Sequence, residues 1–288
     1  MRINRGRDKL FVDKVINSDV VRDDEWLISM NKSEKGSDIN RDICVSRVGQ
    51  GGFAHRKHAR SLLESSDFEE VLKRTEVAPE KMINALLCCL YDIDETIRWR
   101  AVRAVGITVS AIAGKALELS RTIMRRLIWS LNDESGGIGW GAPEAMGEIM
   151  AENETLALEY HRILVSYIDE DGNPLENDEL ERGVMWGISR LAQKRPELLR
   201  DWTGLILAQL NSPDLVRKGL ALRTLLFLVD SSPGSLDLSL QAALPAPLLQ
   251  NQSQIRIFQD GSFEVYTIGG LASKLLERLT SSADALDD

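Results

Sequence analysis

The chain has few residues of the kinds that bind metals or form disulfides. Its 288 residues include three cysteines and three histidines. Cys88 and Cys89 are adjacent within the apolar run "MINALLCCLYD", and an odd number of cysteines cannot all pair. We therefore expect Cys44, Cys88 and Cys89 to be small buried thiols in a reducing compartment. The histidines lie in no Cys-rich or His-Glu spacing, so the sequence predicts no metal site and no cofactor.

The chain also lacks a long apolar segment. No window of about 18 uncharged apolar residues occurs, whereas a membrane-spanning helix needs roughly 20. The first residues, "MRINRGRDKLFVDKV", contain no continuous apolar core of the kind that a signal peptide requires. These absences predict a cytoplasmic protein without a membrane partner.

A glycine-rich segment, "NDESGGIGWGAPEAMGEI" (Asn132–Ile149), raises the question of a phosphate-binding loop. Such loops follow a strand, and the Walker type ends in Gly-Lys-Ser/Thr, but here a helical pattern precedes the glycines and no lysine is present. Glu134 and Glu144 would repel an anion. We interpret the segment as a lengthened turn, with a helix that begins near Ala142 because Pro143 suits the first turn of a helix.

Charge is distributed unevenly along the chain. The net charge is −9, and the block from Asp133 to Glu181 holds fourteen Asp or Glu residues and one Arg. The stretch from Arg98 to Arg126 is basic, with Glu118 as its only acidic residue. An acidic chain weakens the case for nucleic-acid binding, which normally uses a basic face that releases phosphate counterions. The acidic block is either a solvated surface or the part that attracts a partner with a basic patch.

The sequence repeats itself at a spacing of about 40 residues. "TIRWRAVRAVG" (Thr96–Gly106) aligns with "GIGWGAPEAMG" (Gly137–Gly147) at an offset of 41, which places tryptophan on tryptophan and glycine on glycine. A further 41 residues bring Gly183 to an equivalent small position, and another 36 bring Gly219 there. Each of these runs follows another run whose apolar residues recur at three and four. The repeating unit is therefore predicted to be helix, turn, helix.

The second-helix patterns "IRWRAVRAVG" and "LERGVMWGISRLA" resemble HEAT repeats, in particular those of phycobilisome-lyase-like proteins and of bacterial scaffold proteins. The resemblance covers roughly residues 53–280. It implies an all-α fold, an α-solenoid of about five or six HEAT-like helical pairs, with Ala or Gly where the two helices approach closely. It also implies that the second helix of each pair lines the binding surface.

The two ends of the chain depart from this repeat. Residues 1–52 are predicted to be a weakly structured N-terminal arm and linker. Near the other end, "QIRIFQDGSFEVYTI" alternates apolar and polar residues around Asp260 and Gly261, which predicts a short β-hairpin inserted into the last helical unit. Residues 281–288 are predicted to be a frayed tail.

The second helices carry the candidate binding residues. In one interpretation their tryptophans are packing wedges and their charges pair across repeats. In the other they form an amphipathic groove for a segment of a protein partner, since exposed Trp and Arg anchor interfaces. The candidate residues are Arg98, Trp99, Arg100, Arg103, Trp140, Glu144, Glu148, Arg182 and Trp186.

The function expected from this pattern is a non-catalytic protein scaffold or adaptor. Solenoids of related type also include bilin lyase, peptidyl-lysine hydroxylase and alkylpurine DNA glycosylase families. The hydroxylase needs His-Glu pairs, which do not occur here, and the acidic block would repel the DNA that a glycosylase binds. Two alternatives stay open: a lyase-like or chaperone-like protein acting on a cofactor-bearing partner, and a nucleic-acid-binding solenoid of the glycosylase type.

Overall fold

The structure is a computed structural model that describes residues 50–74, 77–132, 139–231 and 244–284. The chain divides into two compact units, Met1–Ala142 and Pro143–Asp288. The predicted arm up to residue 49, with Cys44, and the loop residues 133–138 lie outside the described residues. The described helices run from Gln50 to Asp284, slightly beyond both ends of the predicted range 53–280.

The first unit consists of helices joined by short turns. Its helices are α1 (Gln50–Glu64), α2 (Phe68–Arg74), α3 (Pro79–Cys89), α4 (Glu95–Ala113) and α5 (Leu117–Leu131). Helices α3 and α4 pack against each other as a pair, α1 lies against α3, and α5 packs against α4. This is the helix, turn, helix arrangement that the repeat predicted.

Local sequence signals explain where this pair begins and turns. Pro79 occupies the first turn of α3, where the missing N–H costs no hydrogen bond. Asp94 caps α4, because its carboxylate accepts hydrogen bonds from the amides of Thr96 at 2.8 Å and Ile97 at 3.2 Å. The three- and four-residue spacing of apolar residues then turns one face of each helix inward, as buried Met82 illustrates in α3.

The second unit also consists of helices in pairs, and the hairpin lies near its C-terminal end. Its elements are α6 (Ala142–Glu152), α7 (Glu154–Ser166), α8 (Asp178–Lys194), the 3₁₀ helix Pro196–Trp202, α9 (Thr203–Ala208), the 3₁₀ turn Gln209–Asn211, α10 (Leu215–Ser231), α11 (Ala246–Leu249), β1 (Gln254–Gln259), β2 (Ser262–Thr267) and α12 (Ile268–Asp284). Helix α8 packs against α10, and α10 packs against α12. The second helices therefore follow one another side by side, which confirms the helical-repeat fold.

One predicted helix is broken. The apolar residues of "RPELLRDWTGLILAQLNS", the run that precedes α10, recur at helical spacing and predict a single first helix, but the run folds as a 3₁₀ helix, α9 and a 3₁₀ turn. The Thr203 hydroxyl donates to the Arg200 carbonyl at 2.7 Å, a local bond that competes with regular helix geometry. Gly204 follows, and glycine lowers helix propensity.

The predicted hairpin is present and has the predicted turn. Strands β1 and β2 pair antiparallel, with Gln259 opposite Ser262. The two turn residues, Asp260 and Gly261, both have positive φ, 47° and 87°, as a two-residue type I′ turn requires. Asp tolerates this conformation better than most residues and Gly does so without strain.

Glycines on the second helices create close contacts, but between different elements from those predicted. A Cβ added to Gly147 of α6 would lie 2.2 Å from the Cα of Gly187 in α8, so the backbones of two successive second helices touch. A Cβ on Gly219 of α10 would lie 2.0 Å from the Ile255 side chain of the hairpin. The expectation of a close approach within each helical pair is thus wrong at these positions. The small residues make room for the next repeat and for the hairpin.

Two of the three cysteines lie within the described residues. Cys89 is buried, Cys88 is half-buried, and neither is in a disulfide. No helix in the described ranges is both long and apolar enough to cross a membrane.

Candidate partner-binding surface

The arginines of α4 hold this helix against α1 and α2. The Arg100 guanidinium donates to the carbonyl oxygens of Leu63 at 2.9 Å and Ser65 at 3.0 Å, at the C-terminal end of α1. A cation there also complements the negative end of the helix dipole. Arg103 binds both carboxylate oxygens of Glu69 in α2, at 2.9 and 3.2 Å. Arg100 and Arg103 therefore connect one repeat to the one before it.

A buried ion pair plays the same part in the second unit. Glu148 of α6 has 1% of its surface exposed and accepts two hydrogen bonds from Arg190 of α8, at 2.8 and 3.0 Å. Arg190 also reaches Glu152 at 3.2 Å. Two charges removed from water in this way are stable only because each is hydrogen-bonded to the other. Glu148 is consequently not accessible to a partner, contrary to its predicted role.

Arg182 and its neighbours extend this pattern of contacts between repeats. Arg182 at the start of α8 pairs with Asp214 at 2.7 Å, just ahead of α10. Arg217 of α10 pairs in turn with Glu181 and donates to the side-chain oxygen of Gln209. Arg182 is partly exposed, so part of its guanidinium faces solvent while the rest is bound to Asp214.

Trp186 was predicted to bind a partner together with Trp99 and Trp140, but it contacts the hairpin of its own chain. It is 5% exposed, and its indole N–H donates to the Phe258 carbonyl of β1 at 3.1 Å. The 41-residue offset would place the equivalent of Trp140 at Glu181, five residues before Trp186. Five residues rotate a side chain by about 140° around a helix, which points Trp186 to a different side. Buried Trp186 is therefore not accessible to a partner, contrary to its predicted role, and its position relative to the 41-residue offset is consistent with this.

Sequence reasoning missed the residue that joins the hairpin to two second helices. Arg223 of α10 is 6% exposed and donates to the Ser189 hydroxyl of α8 at 3.2 Å and to the Gln259 side-chain oxygen of β1 at 2.7 Å. Burial lowers the pKa of its guanidinium, which has the Phe227 ring 5.0 Å away. A charged residue in the apolar run "LALRTLLFL" was the available signal. The hairpin thus covers the second-helix face of α8 and α10.

Within the described residues, α4 keeps a row of partly accessible side chains along its length, whereas the middle of α8 and of α10 is buried. We define the α4 stripe as the half-buried residues Trp99, Arg103, Ile107 and Ser110, which recur at three- and four-residue spacing along the helix. At an offset of 41 residues, Arg103 and Ile107 of this stripe correspond to Glu144 and Glu148 of α6. A further 41 residues lead to positions in α8 that are buried. Ile107 was not among the predicted residues, although the helical period connects it to Arg103.

Two predicted residues make no polar side-chain contact within the described ranges. The half-buried side chains of Arg98 and Trp140 make no hydrogen bond or ion pair there. Trp140 lies in a turn with Gly141, whose φ is +73°, and α6 begins at Ala142 as predicted. Half-buried Glu144 follows, and its carboxylate leaves no space for a side chain at Gly183, where a Cβ would be 2.7 Å away.

Exposed carboxylates cluster in the connection between α7 and α8. Those in the connection and the first turn of α8 are Glu170, Asp171, Glu176, Asp178 and Glu179. They belong to the predicted acidic block, and their exposure gives this edge of the second unit a negative surface. Within the described part of the chain, no group of three or more His, Cys, Asp or Glu side chains is placed to hold a metal ion.

Comparison with known proteins adds limited information. No protein-family model matches the chain. A protein of Archaeoglobus fulgidus described only as uncharacterized is 33% identical over 127 residues, which cover 44% of this chain and 58% of that protein. The match thus spans little more than half of that relative's length.

Solved structures show weak similarity to the chain. The crystal structure of an engineered protein has a TM-score of 0.46 at 15% identity and covers 86% of this chain and 98% of its own. An archaeal HEAT-like repeats protein from Thermococcus onnurineus NA1 has a TM-score of 0.39 at 22% identity, covering 78% and 80%. The helical-repeat fold therefore rests on the packing of the helices described above. The narrower resemblance to bacterial phycobilisome-lyase-like proteins stays a prediction.

Proposed function

We propose that the chain is a non-catalytic scaffold or adaptor that binds a segment of a protein partner along the α4 stripe. The observation that carries this proposal is the contrast between second helices. Along α4, Trp99 and Ile107 are half-buried, with Arg103 and its partner Glu69 between them, whereas the middle of α8 and of α10 is buried and the hairpin lies on that face. A row of partly accessible aromatic and aliphatic side chains on a rigid helix is a favourable anchor for a partner segment.

Electrostatics indicates the chemistry of the partner. Arg98 lies in the first turn of α4, one residue before Trp99 and on a different side of the helix from Arg103, and it makes no ion pair within the described ranges. A carboxylate of a bound segment that passes the N-terminal end of α4 can therefore pair with it. The exposed carboxylates between α7 and α8 would attract a basic patch elsewhere on the partner. We therefore propose a partner that combines an apolar, acidic segment with a separate basic surface.

Affinity capture from the native host, followed by mass spectrometry, tests the proposal. Wild-type protein should retain a defined partner, and Arg98→Glu or Ile107→Ala should lose it at least tenfold. Lys115→Glu is the matched control for the charge change, since Lys115 is exposed in the same unit. Leu119→Ala is the matched control for the loss of an aliphatic side chain, because Leu119 is also partly exposed in that unit.

Three results would contradict the proposal. Capture of no partner by wild-type protein opposes a scaffold, and equal losses in the two control variants oppose the α4 stripe as the site. Binding of duplex DNA that survives about 200 mM salt, where purely electrostatic binding weakens strongly, would favour the nucleic-acid alternative.

A further inference from the structure

The β-hairpin has one covered edge and one open edge. On the β1 side, the Trp186 indole donates to the Phe258 carbonyl, and Ile255 and Ile257 are buried. On the β2 side, Val265 is 60% exposed. The outer edge of β1 is thus closed by α8, whereas no hydrogen bond to the backbone of Val265 in β2 is found within the described residues.

The register of the hairpin shows which backbone groups point outward. A two-residue turn makes the flanking residues Gln259 and Ser262 a hydrogen-bonded pair, and bonded and non-bonded pairs alternate along an antiparallel ladder. Val265, three residues further along β2, therefore belongs to a non-bonded pair with Arg256. Its N–H and C=O point away from β1, and no hydrogen bond to them is found elsewhere in the described ranges.

Strand β2 has little of the protection that natural edge strands usually carry. Its sequence, "SFEVYT", contains no proline and no lysine, and its pairing runs without a bulge from Ser262 to Thr267. Four of its six residues are aromatic or β-branched, which are the types that favour strands. An exposed edge of this kind is a template on which another strand can pair.

We propose that the edge of β2 pairs with β2 of a second copy of this chain, antiparallel and centred on Val265. The two Val265 residues then exchange both of their backbone hydrogen bonds. Phe263 lies opposite Thr267 of the second copy, and Glu264 lies opposite its Tyr266. The two hairpins become one four-stranded sheet, and this inference does not depend on the proposed function of the α4 stripe.

Self-complementarity selects a second copy over an unrelated strand. Glu264 is the only charged residue of β2, and in this register it opposes Tyr266 rather than another carboxylate. Like charges directly opposite would destabilise the pair, whereas a phenol opposite a carboxylate can donate to it. Within one chain, the Tyr266 hydroxyl already donates to Glu264, so the two groups are compatible neighbours. On the other face, Val265 meets Val265, a favourable β-branched pair.

Sedimentation equilibrium of the full chain over a wide concentration range tests the inference. The weight-average mass should rise from that of the 32.1 kDa chain toward twice that value as concentration increases. Val265→Lys should abolish the rise, because two ammonium groups would then oppose each other. Val265→Pro should do the same by removing the outward N–H, and proline is tolerated on the open side of an edge strand.

The matched control is Leu158→Lys, which places the same charge at an aliphatic side chain that is 58% exposed on α7. It should associate as wild type does, and circular dichroism should show that all variants keep their helices. A mass that stays at one chain at every concentration overturns the inference. So does association that survives both Val265 substitutions or is lost equally in Leu158→Lys. A monomeric chain whose Val265→Lys variant loses a host protein would assign the edge to a foreign strand instead.

Discussion

Replacing Gly147 by alanine tests whether successive second helices are held in backbone contact. The added Cβ would lie 2.2 Å from the Cα of Gly187, whereas ordinary contacts of a Cβ begin at 3.4 Å. The difference, 3.4 − 2.2, means that α6 and α8 must separate by about 1.2 Å or distort locally. Neither neighbour is a side chain that could rotate away, because both helices contribute backbone at this point.

The expected loss of unfolding free energy combines two destabilising effects, overpacking and a weakened ion pair, with one stabilising effect, the higher helix propensity of alanine. Overpacking a close-packed site costs about 1–3 kcal/mol, and Ala in place of Gly in a helix returns about 1 kcal/mol. Separating the helices also stretches the Glu148–Arg190 hydrogen bonds of 2.8 and 3.0 Å, in a pair whose complete rupture costs about 3–5 kcal/mol. We therefore expect the unfolding free energy to fall by about 1–3 kcal/mol, with about 0–2 kcal/mol from packing after the gain in helix propensity and the rest from the weakened ion pair.

Urea unfolding followed by far-ultraviolet circular dichroism measures this loss. The matched control is Gly204→Ala in α9, where the same substitution adds a Cβ with no atom within 4 Å. That variant should gain about 0.5–1 kcal/mol from reduced backbone entropy in the unfolded chain. If Gly147→Ala were as stable as Gly204→Ala, the backbone contact between α6 and α8 would not exist as described.

Three further predictions concern the ion pair, a helix cap and a half-buried imidazole. Glu148→Ala should lower the unfolding free energy by about 3–5 kcal/mol in the same assay, because it leaves the Arg190 guanidinium without its bidentate acceptor. Adding Arg190→Met should recover most of that loss, and a double variant no better than the single one would contradict the reasoning. Asp94→Ala should cost about 1 kcal/mol, whereas Asp94→Asn, which still accepts from the first-turn amides, should retain most of the stability; equal losses would argue against capping. Burial lowers the pKa of His161 below its usual 6.5, so the folded state binds fewer protons than the unfolded state. Above pH 6.5 the imidazole is neutral in both states and costs no stability. As the pH falls below 6.5, the unfolded state takes up the proton first and the folded state loses stability. Plots of the urea midpoint against pH should be flatter over that range for His161→Leu than for wild type, and identical slopes would exclude this group as the cause.

The hairpin limits where partner binding can occur on the second helices. Trp186 and Arg223 reach from α8 and α10 to the backbone of Phe258 and the side chain of Gln259. These are an aromatic and a cation of the types that were expected to anchor a partner, and here they hold a part of the same chain. The stripe on α4 carries comparable side chains, which is why the proposed site lies in the first unit.

Several predictions depended on short stretches of sequence and were confirmed. Alternation around Asp260 and Gly261 located the hairpin, because only a few residue types accept the positive φ of its turn. Pro143 located the start of α6 at Ala142, since proline fits the first turn of a helix. Such signals work because their cause lies within a few residues of the chain.

The candidate site was predicted less well, and Arg103, Glu148 and Trp186 show why. Their residue types indicated interface anchors, but the first pairs with Glu69, the second is buried with Arg190 and the third lies under β1. These three residues are separated from their partners by 34, 42 and 72 residues along the chain, respectively. A periodic pattern identifies the face of a helix on which a residue lies, but it does not identify what covers that face.

The amino-acid sequence was therefore sufficient to establish the helical pairs, their spacing of about 40 residues and the C-terminal hairpin. All three follow from hydrophobic periodicity and turn chemistry, which act over one or two turns of a helix or along one strand. Folding in three dimensions determined which second-helix side chains bind neighbouring repeats, which lie under the hairpin and which, like half-buried Arg98, make no ion pair in the described ranges. The physical reason is that accessibility and charge pairing depend on neighbours that are distant in the chain and close in space.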